Sequence, residues 1–358
     1  MPVELYRLIT SYVSHDSLFA LALTSTTIKY QVTPMIYRFL HFHEEEDPRG
    51  QFLQQVSHLS EWEKRLGRVS AIYQLPLFLR TIMESPILRS HIQVADFQWH
   101  SDIHSDTHAD VSQILDLLPR DLKFLHLSMY QYEYLLPSTI PITSLQLHYP
   151  GGLGVGIWDG EFDLPFERVY SVFQIPTLRH LTYIDPRHWD HFPRAITLGA
   201  RAKTSNITSL SFVGGAPIGE DFSEMMTWPA SLKTFHMSIN PDDTHIGDRN
   251  PMSPERLRQG LLPQRASLEE IFIGRIWQCG GRELTTLGHL HEFSALKRLG
   301  VAVEYLVPWL GEEDDPDAAP DIYEVLPSTL EELQLEVPPS FQWSPPIHRK
   351  KYWSRSKN

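Results

Sequence analysis

The chain has 358 residues and a mass of 41.4 kDa, which suits a small module followed by one larger domain. Hydrophobic residues make up 42% and charged residues 21% of the sequence, which excludes a wholly disordered chain. The 44 acidic side chains outnumber the 31 basic ones, and the formal net charge of −13 argues against a broad nucleic-acid-binding surface. No apolar run has the length of a membrane span. We therefore expect neither nucleic acid nor a membrane as a partner.

The single cysteine and the N-terminal residues bear on the compartment. Cys279 has no second cysteine with which to form an internal disulfide. The stretch from Met1 to Leu5 has an early acid and no basic region before a continuous apolar run, which argues against a secretory signal. We expect an intracellular protein, cytoplasmic or nuclear, that is stabilised by packing.

The first forty residues predict three short helices. An apolar stripe at helical spacing follows Pro2 and consists of Leu5, Leu8, Ile9, Tyr12 and Val13. A second helix runs from Leu18 to Leu23, and a third begins after the N-cap candidates Ser25 and Thr26 and should stop at Pro34. Helices this short bury little surface, so we expect a partner or a neighbouring domain to cover the rest.

In order and spacing, this segment resembles an F-box of the fungal type. The motifs that carry the resemblance are Pro2-Val3-Glu4-Leu5, Leu8-Ile9, Tyr12-Val13, Asp16-Ser17-Leu18, Leu21-Ala22-Leu23-Thr24-Ser25 and Pro34-Met35-Ile36-Tyr37-Arg38. Met1 stands where the family usually has leucine, and Ile28 stands where many members have tryptophan. The resemblance implies docking on the Skp-family adaptor of a cullin-based ubiquitin ligase. The residues it assigns to that contact are Pro2, Leu5, Leu8, Ile9, Leu18, Leu21 and Ala22.

The apolar stripe alone also fits an N-terminal helical cap of the domain that follows. The acidic run from Glu44, ending in Pro48 and Gly50, predicts a linker, and a capping helix should follow it. We place the helical module at residues 1–43, the linker and capping helix at 44–68, a repeat domain at 69–337, and a Pro-rich and basic tail at 338–358.

Histidines and aspartates alternate between residues 100 and 110. The histidines are His100, His104 and His108, at a spacing that would let imidazoles on a helix share a metal ion. Serine and aspartate are frequent in the same stretch, which favours a solvated loop instead. We therefore predict no metal ligands here, and we interpret the second histidine cluster, around His188, as an ordinary loop.

Short apolar segments of the form L-x-x-L-x-L recur through the rest of the chain, and each predicts a strand. They start at Leu122, Ile142, Leu178, Ile207, Leu232, Leu268, Leu296 and Leu330. Several follow a helical stretch and a proline, and a further unit has a helix from Leu77 to Met83 and a strand from Ile92 to Phe97. Such units bury their apolar faces only by stacking. They resemble leucine-rich repeats, so we expect an α/β chain in which an F-box-like module precedes an irregular solenoid with a parallel sheet.

No motif indicates an enzyme. The glycine-rich run from Gly151 to Gly156 follows a strand, but no helix start follows it, so it does not predict a phosphate-binding loop. Cys279 lacks an activating signature, and no nucleophile elbow, P-loop or zinc-protease motif is present. We expect no cofactor. A metal-dependent hydrolase that uses the His100 or His188 region is the alternative from a different class.

Charged and histidine residues next to the apolar strand positions form the candidate target-binding set. They are Lys123, His126, Arg179, His180, Lys233, His236, Lys297 and Arg298. On an arc they would give a mixed, partly basic concave surface, and the alternative is ordinary solvated strand faces. The hypothesis is a substrate-recognition adaptor of an SCF-type E3 ubiquitin ligase that binds a target protein with its solenoid. A leucine-rich-repeat interaction scaffold unrelated to ubiquitination is the rival.

Overall fold

The structure is a computed structural model, and the fold is described over eleven segments. These are residues 15–43, 75–98, 105–119, 121–128, 142–148, 166–184, 201–214, 220–238, 253–274, 286–306 and 322–336. Several sequence predictions lie outside them. These are the first helix with Pro2, Leu5, Leu8 and Ile9, the linker and capping helix, the glycine-rich run, the His188 cluster, Cys279 and the C-terminal tail.

One parallel sheet of ten strands runs through the described residues, and its strands follow chain order from the first to the last. The strands are β1 Phe39–His43, β2 Val94–Gln98, β3 Phe124–Ser128, β4 Ser144–His148, β5 His180–Ile184, β6 Ser209–Val213, β7 Thr234–Ser238, β8 Glu270–Ile273, β9 Arg298–Ala302 and β10 Glu332–Glu336. All eight L-x-x-L-x-L segments form strands, as the pattern predicts. This order requires each connection to cross over in the same sense, which is the topology of a solenoid.

Two of the described helices precede β1, and the others lie in connections between strands. They are α1 His15–Ala22, α2 Thr26–Ile36, α3 Leu75–Glu84, α4 Pro86–His91, α5 Ser105–Leu117, α6 Phe166–Phe173, α7 Glu220–Met225, α8 Pro254–Leu261 and α9 Ile322–Val325, with short 3-10 turns at Leu262–Gln264 and Val303–Tyr305. None of these helices is long and apolar enough to cross a membrane.

The two faces of the sheet differ because side chains alternate along each strand. In β1 to β9 the second and fourth positions are apolar and lie in one continuous core with the helices, as Leu210 and Phe212 do in β6. The first, third and fifth positions point away from the helices, and we call this side the polar face. Because all strands are paired in register, equivalent positions form rows across the polar face.

The N-terminal helices form a small core of their own. Leu18, Val32 and Ile36 are buried together, and Ser25 caps α2 by accepting a hydrogen bond from the Ile28 amide at 3.1 Å. Tyr37 packs against both this cluster and the main core. The helical module therefore lies directly against the solenoid.

The chain enters the sheet earlier than the sequence suggests. Residues 39–43, assigned above to the helical module, form β1 and pair with β2 along their whole length. The carbonyl of Arg38 accepts hydrogen bonds from the amides of Gln93 and Val94, as the residue before a strand does elsewhere in the sheet. Within the described residues, the module is thus joined to the solenoid by two residues after α2.

Three local expectations were wrong, each for a reason of helix chemistry. Pro34 does not end α2, which continues to Ile36, because a proline in the last turn removes only one helical hydrogen bond. No helix was expected between Met83 and Ile92, but Pro86 begins α4 there, since its fixed φ suits the first helical position. Residues from Ser105 onward form α5, although a loop was expected, because serine and aspartate favour the first turn of a helix.

Gly260 in α8 should resist replacement by a better helix former. A Cβ added there would lie 2.3 Å from a ring carbon of Phe222, which is fully buried. Alanine gains about 1 kcal/mol of helix propensity, but crowding a packed core costs about 1–3 kcal/mol. We expect Gly260→Ala to lower the urea midpoint of unfolding. A matched Gln259→Ala change on the exposed side of α8 should leave the midpoint nearly unchanged.

Candidate protein-binding surface

The polar face is divided into a closed half and an open half. On β2 to β4 its polar side chains are shut away from solvent, with exposures of 1–5%, and we call this the closed half. Its members are Asp96, His126, Ser144, Gln146 and His148. From β5 to β10 the polar side chains of this face are half-buried or exposed, and we call this the open half.

The closed half contains a buried hydrogen bond between two adjoining strands. The Nδ1 atom of His126 lies 2.8 Å from the Oδ1 atom of Asp96 on the adjoining strand. The rings of His126 and His148 are nearly parallel, with centroids 6.3 Å apart. Side chains this deeply buried cannot contact a partner protein directly. We therefore conclude that the closed half stabilises the solenoid and does not form the binding surface.

The open half carries a ladder of paired charges. Glu270 accepts hydrogen bonds from the guanidinium of Arg298 and lies 3.0 Å from Nε2 of His236. One residue before the strands, Nζ of Lys233 lies 2.9 Å from Glu269. Opposite charges on neighbouring strands stabilise the register of the sheet. The ladder also fixes the direction in which these side chains face solvent.

An aromatic side chain lies within this ladder. Phe272 is half-buried, and its ring is 5.8 Å from that of His236 in an edge contact. The ring occupies the space above Gly300, where an added Cβ would lie 2.4 Å from Cδ2 of Phe272. Aromatic and arginine side chains are enriched at the centres of protein-binding surfaces. The open half is therefore our candidate binding surface.

The predicted target-binding residues are distributed unequally between these surfaces. His126 is buried in the closed half, which makes it unavailable to a partner in this structure. His180, His236 and Arg298 lie on the open half, at strand positions of the polar face. The other four residues precede the strands and form a rim along one end of the sheet. They are Lys123, Arg179, Lys233 and Lys297.

Sequence reasoning missed Phe272 and Gly300. Both stand at the third position of their strands, where the pattern calls for a polar side chain. A bulky aromatic residue on one strand opposite a glycine on the next strand would have indicated this site. Recognising the pair requires the register between the two strands. The sequence alone does not give that register.

The predicted adaptor-binding residues can be compared with the described part of the helical module. Leu18 is 2% exposed, and Leu21 and Ala22 are partly buried against the module core. The large apolar side chains of α2 and of the turn after α1 that do reach solvent are Leu23, 89% exposed, and Tyr30, 81% exposed. In this structure Leu18 stabilises the module, and Leu23 and Tyr30 are the groups available for contact.

Two titratable groups beside the rim have shifted pKa values. Partial burial, followed by the charge of Arg179, lowers the pKa of His180. The hydrogen bond from Lys233, then its charge, lowers the pKa of Glu269, with smaller contributions from Lys297 and Arg298 and an opposing effect of burial. Both shifts keep the rim in its neutral-pH charge state as the solution becomes mildly acidic.

Removing the lysine should raise the pKa of Glu269. In Lys233→Met we expect the Glu269 carboxyl to titrate at higher pH, measured by carbon-detected NMR of its side chain. Because the folded-state pKa is lowered, the carboxylate stabilises the fold above its unfolded-state pKa and loses that effect as pH falls through the folded value. Lys123→Met, five strand pairings away from the strand that follows Glu269, should leave the titration unchanged. An unchanged pKa in Lys233→Met would contradict the assigned hydrogen bond.

Other candidate sites receive no support from the described residues. Within them, no group of three or more His, Cys, Asp or Glu side chains is arranged to hold a metal ion. A cleft of about 510 Å³ is lined by Glu255, Arg258, Gly288 and Glu292, among others. The Arg258–Glu292 ion pair, at 2.7 Å, lies in its wall.

Comparison with known proteins identifies the repeat domain. Residues 138–340 match the family model described as a leucine-rich repeat domain. The leucine-rich repeat-containing protein LegL7 from Legionella pneumophila is similar in structure, with 14% sequence identity and a TM-score of 0.41 over 84% of this chain and 90% of that chain. No curated protein sequence matches the chain.

Proposed function

We propose that this chain, which belongs to the leucine-rich repeat family, is a substrate-recognition adaptor of an SCF-type E3 ubiquitin ligase. Leucine-rich repeat domains generally serve as protein-interaction scaffolds, and stacked repeats present an extended surface for this purpose. In this proposal, the helical module docks on a Skp-family adaptor and the open half binds a target protein. The chain itself performs no catalysis and needs no cofactor, and it acts inside the cell.

One observation carries the docking part of the proposal. Leu23, in the turn after α1, and Tyr30, in α2, project into solvent from a module that already has its own core. Large apolar side chains that are this exposed mark a surface that binds the apolar surface of another protein. The F-box resemblance of the segment that contains them supplies the identity of that protein, although it assigns the contact to other residues of the segment. The rival, a scaffold unrelated to ubiquitination, has no use for this pair of side chains at the end of the solenoid.

The short connection between module and sheet supports the same function. A ligase must hold its target at a fixed distance from the transferase, and a module joined by a flexible linker would not do so. Here α2 ends at Ile36 and β1 begins at Phe39. Tyr37, between them, packs into both cores. The open half would thus be held in a fixed orientation relative to a docked adaptor.

The test is binding of the full chain to a purified Skp-family adaptor by isothermal titration calorimetry. We expect the wild type to bind and the double variant Leu23→Asp, Tyr30→Asp to lose at least about tenfold in affinity, as expected for central apolar contacts. Both side chains are exposed, so the variant should fold normally, unlike a substitution at buried Leu18. Leu333→Asp, an exposed leucine in β10, is the matched control. Absence of binding by the wild type would reject the proposal in favour of the scaffold.

The target-binding part has a separate test. Phe272→Ser should abolish recruitment of a client that the wild type captures, with adaptor affinity unchanged. Thr143→Ala, at an exposed position beside the closed half, should leave recruitment intact. Loss of adaptor binding in Phe272→Ser would instead indicate that the two surfaces are not separate.

A further inference from the structure

Strand β10 forms the C-terminal edge of the described sheet, and it is less well covered than the strands before it. Among the described strands it pairs only with β9. Its core positions carry Leu333, which is 37% exposed, and Leu335, which is half-buried. The equivalent residues of β9, Leu299 and Val301, are 1% and 2% exposed. The edge of β10 can therefore offer both apolar side chains and backbone groups to a further strand.

The backbone of β10 is arranged to accept a parallel strand. At each step from β7 to β10, the carbonyl of the residue before one strand accepts hydrogen bonds from two consecutive amides at the start of the next. The carbonyl of Lys297, for example, accepts from Glu331 and Glu332 at 2.8 and 2.9 Å. Since amides alternate in direction along a strand, those of Leu333 and Leu335 face away from β9. A further strand would use these two amides and the carbonyl of Glu331.

Charges alternate in sign from strand to strand toward this edge. One row consists of the residues that immediately precede β7 to β10, which are Lys233, Glu269, Lys297 and Glu331. The next row consists of the first residues of β8 to β10, which are Glu270, Arg298 and Glu332. Opposite charges on neighbouring strands stabilise pairing, as the Lys233–Glu269 and Arg298–Glu270 ion pairs do here. Both rows end on an acid, so the charges favour a next strand that begins with two basic residues.

The chain carries such a segment a short distance after β10. It is Lys350-Lys351-Tyr352-Trp353-Ser354-Arg355, which lies outside the described residues. The four prolines that follow β10 all precede it, so each of its residues can donate an amide to a sheet. A strand that begins at Lys351 leaves 14 residues after β10, and the connection between β3 and β4 has 15. Since parallel strands need a crossover of about a dozen residues or more, this connection is long enough.

The charges and the core select the same register for this segment. Lys351 beside Glu332 continues the charge row and gives Tyr352 the core position. The Tyr352 ring is then next to Leu333, the exposed core residue of β10. A shift by one residue in either direction would put Lys351 or Arg355 on the core side, because side chains alternate along a strand.

A second copy of the chain fits this edge less well. Two β10 edges related by a two-fold axis would pair antiparallel, with Glu332 of one copy opposite Glu336 of the other. Like charges directly opposite one another destabilise strand pairing. The acidic edge therefore favours a basic strand over its own copy.

We propose that residues 350–355 add to the edge of β10 as a further parallel strand, in which basic residues lie beside the acidic residues of β10. The pairs are Lys350 with Glu331, Lys351 with Glu332, and Arg355 with Glu336. This strand caps the C-terminal end of the solenoid, where a terminal repeat needs cover. It also brings Trp353 to the polar face, in the row of Phe272 and Gly300. The tail thereby extends the open half, and this inference does not depend on the proposed ligase function.

Hydrogen exchange of the full chain, followed by NMR, tests this strand through the outward amides of β10. In the wild type the amides of Leu333 and Leu335 should be protected. Lys350→Glu with Lys351→Glu should accelerate their exchange at least about tenfold. Arg349→Glu with Lys357→Glu changes the net charge equally but lies outside the paired residues, so protection should persist. Equal exchange in the wild type and in Lys350→Glu, Lys351→Glu would overturn the proposal.

A cysteine trap in a Cys279→Ser background tests the register. Leu333→Cys with Tyr352→Cys should form an intramolecular disulfide, because these positions are side by side on the core side. Leu333→Cys with Trp353→Cys should form it at least about tenfold more slowly, because strand neighbours point to opposite faces. Equal rates would overturn the proposed strand. A wild-type dimer in light scattering, together with a disulfide between two chains, would assign the edge to a second copy and also overturn it.

Discussion

Replacing Gln264 by methionine should lower the free energy of unfolding by about 3 kcal/mol, because three buried backbone groups lose their partner at once. Gln264 is 4% exposed and follows α8 in the 3-10 turn. Its Nε2 donates to the carbonyls of Met226 and Pro229, at 2.8 and 2.9 Å. Its Oε1 accepts from the Leu232 amide at 2.9 Å. The side chain thus ties the α8 unit to the strand connection of the preceding one.

The Gln264→Met substitution should first destabilise the contact between two neighbouring repeat units and then the whole fold. Solenoid units contact mainly their neighbours, so the break should appear first between α7 and β7. Hydrogen exchange of the Leu232 amide should accelerate in Gln264→Met, and urea unfolding should shift to lower concentration. Gln259→Met, on the exposed side of α8, is the control and should change neither. A protected Leu232 amide in Gln264→Met would mean that another group replaces the glutamine.

Breaking the buried hydrogen bond between Asp96 and His126 in the closed half should have a similarly large effect. Asp96→Ala leaves Nδ1 of His126 without the carboxylate that lies 2.8 Å away, in a site where both residues are nearly excluded from solvent. Removing one partner leaves the other buried polar group without its hydrogen bond, which costs about 1–3 kcal/mol and more where that group is charged. We expect a loss of about 3 kcal/mol in the free energy of unfolding by urea denaturation.

A more exposed ion pair with a similar distance between its atoms provides the comparison. The Arg258–Glu292 distance is 2.7 Å, but half of the Glu292 side chain is in solvent. Glu292→Ala should therefore cost less than about 1 kcal/mol. Equal losses in Asp96→Ala and Glu292→Ala would show that burial does not set the strength of the His126 pair, and that the closed half is open in solution.

Local patterns predicted most of the strands because the repeat places apolar residues at alternating positions. The segments beginning at Leu122 and Leu330 have the same pattern, and both became strands of one sheet. The strand Phe39–His43 was missed because the F-box resemblance suggested a continuing helical module. Its core positions, Leu40 and Phe42, alternate with histidines as in the other strands, but its pairing with β2 is a long-range event that the resemblance does not indicate.

The candidate surface was predictable only in part for the same reason. His236 and Arg298 could be placed on the polar face from alternation, and both lie there. Alternation gives the same position to His126, but neighbouring strands bury it against Asp96. Whether a polar-face residue is open or closed depends on what covers it, and no local pattern contains that information.

The sequence by itself determined the repeat architecture and the parallel sheet, because apolar periodicity and helix-ending prolines are local signals that stacking turns into a core. The tertiary structure alone decided which residues can meet a partner. It buried Leu18 and His126, exposed Leu23 and Tyr30, and set Phe272 above Gly300. Exposure is a property of neighbours brought together from distant positions, and the chain acquires it only on folding.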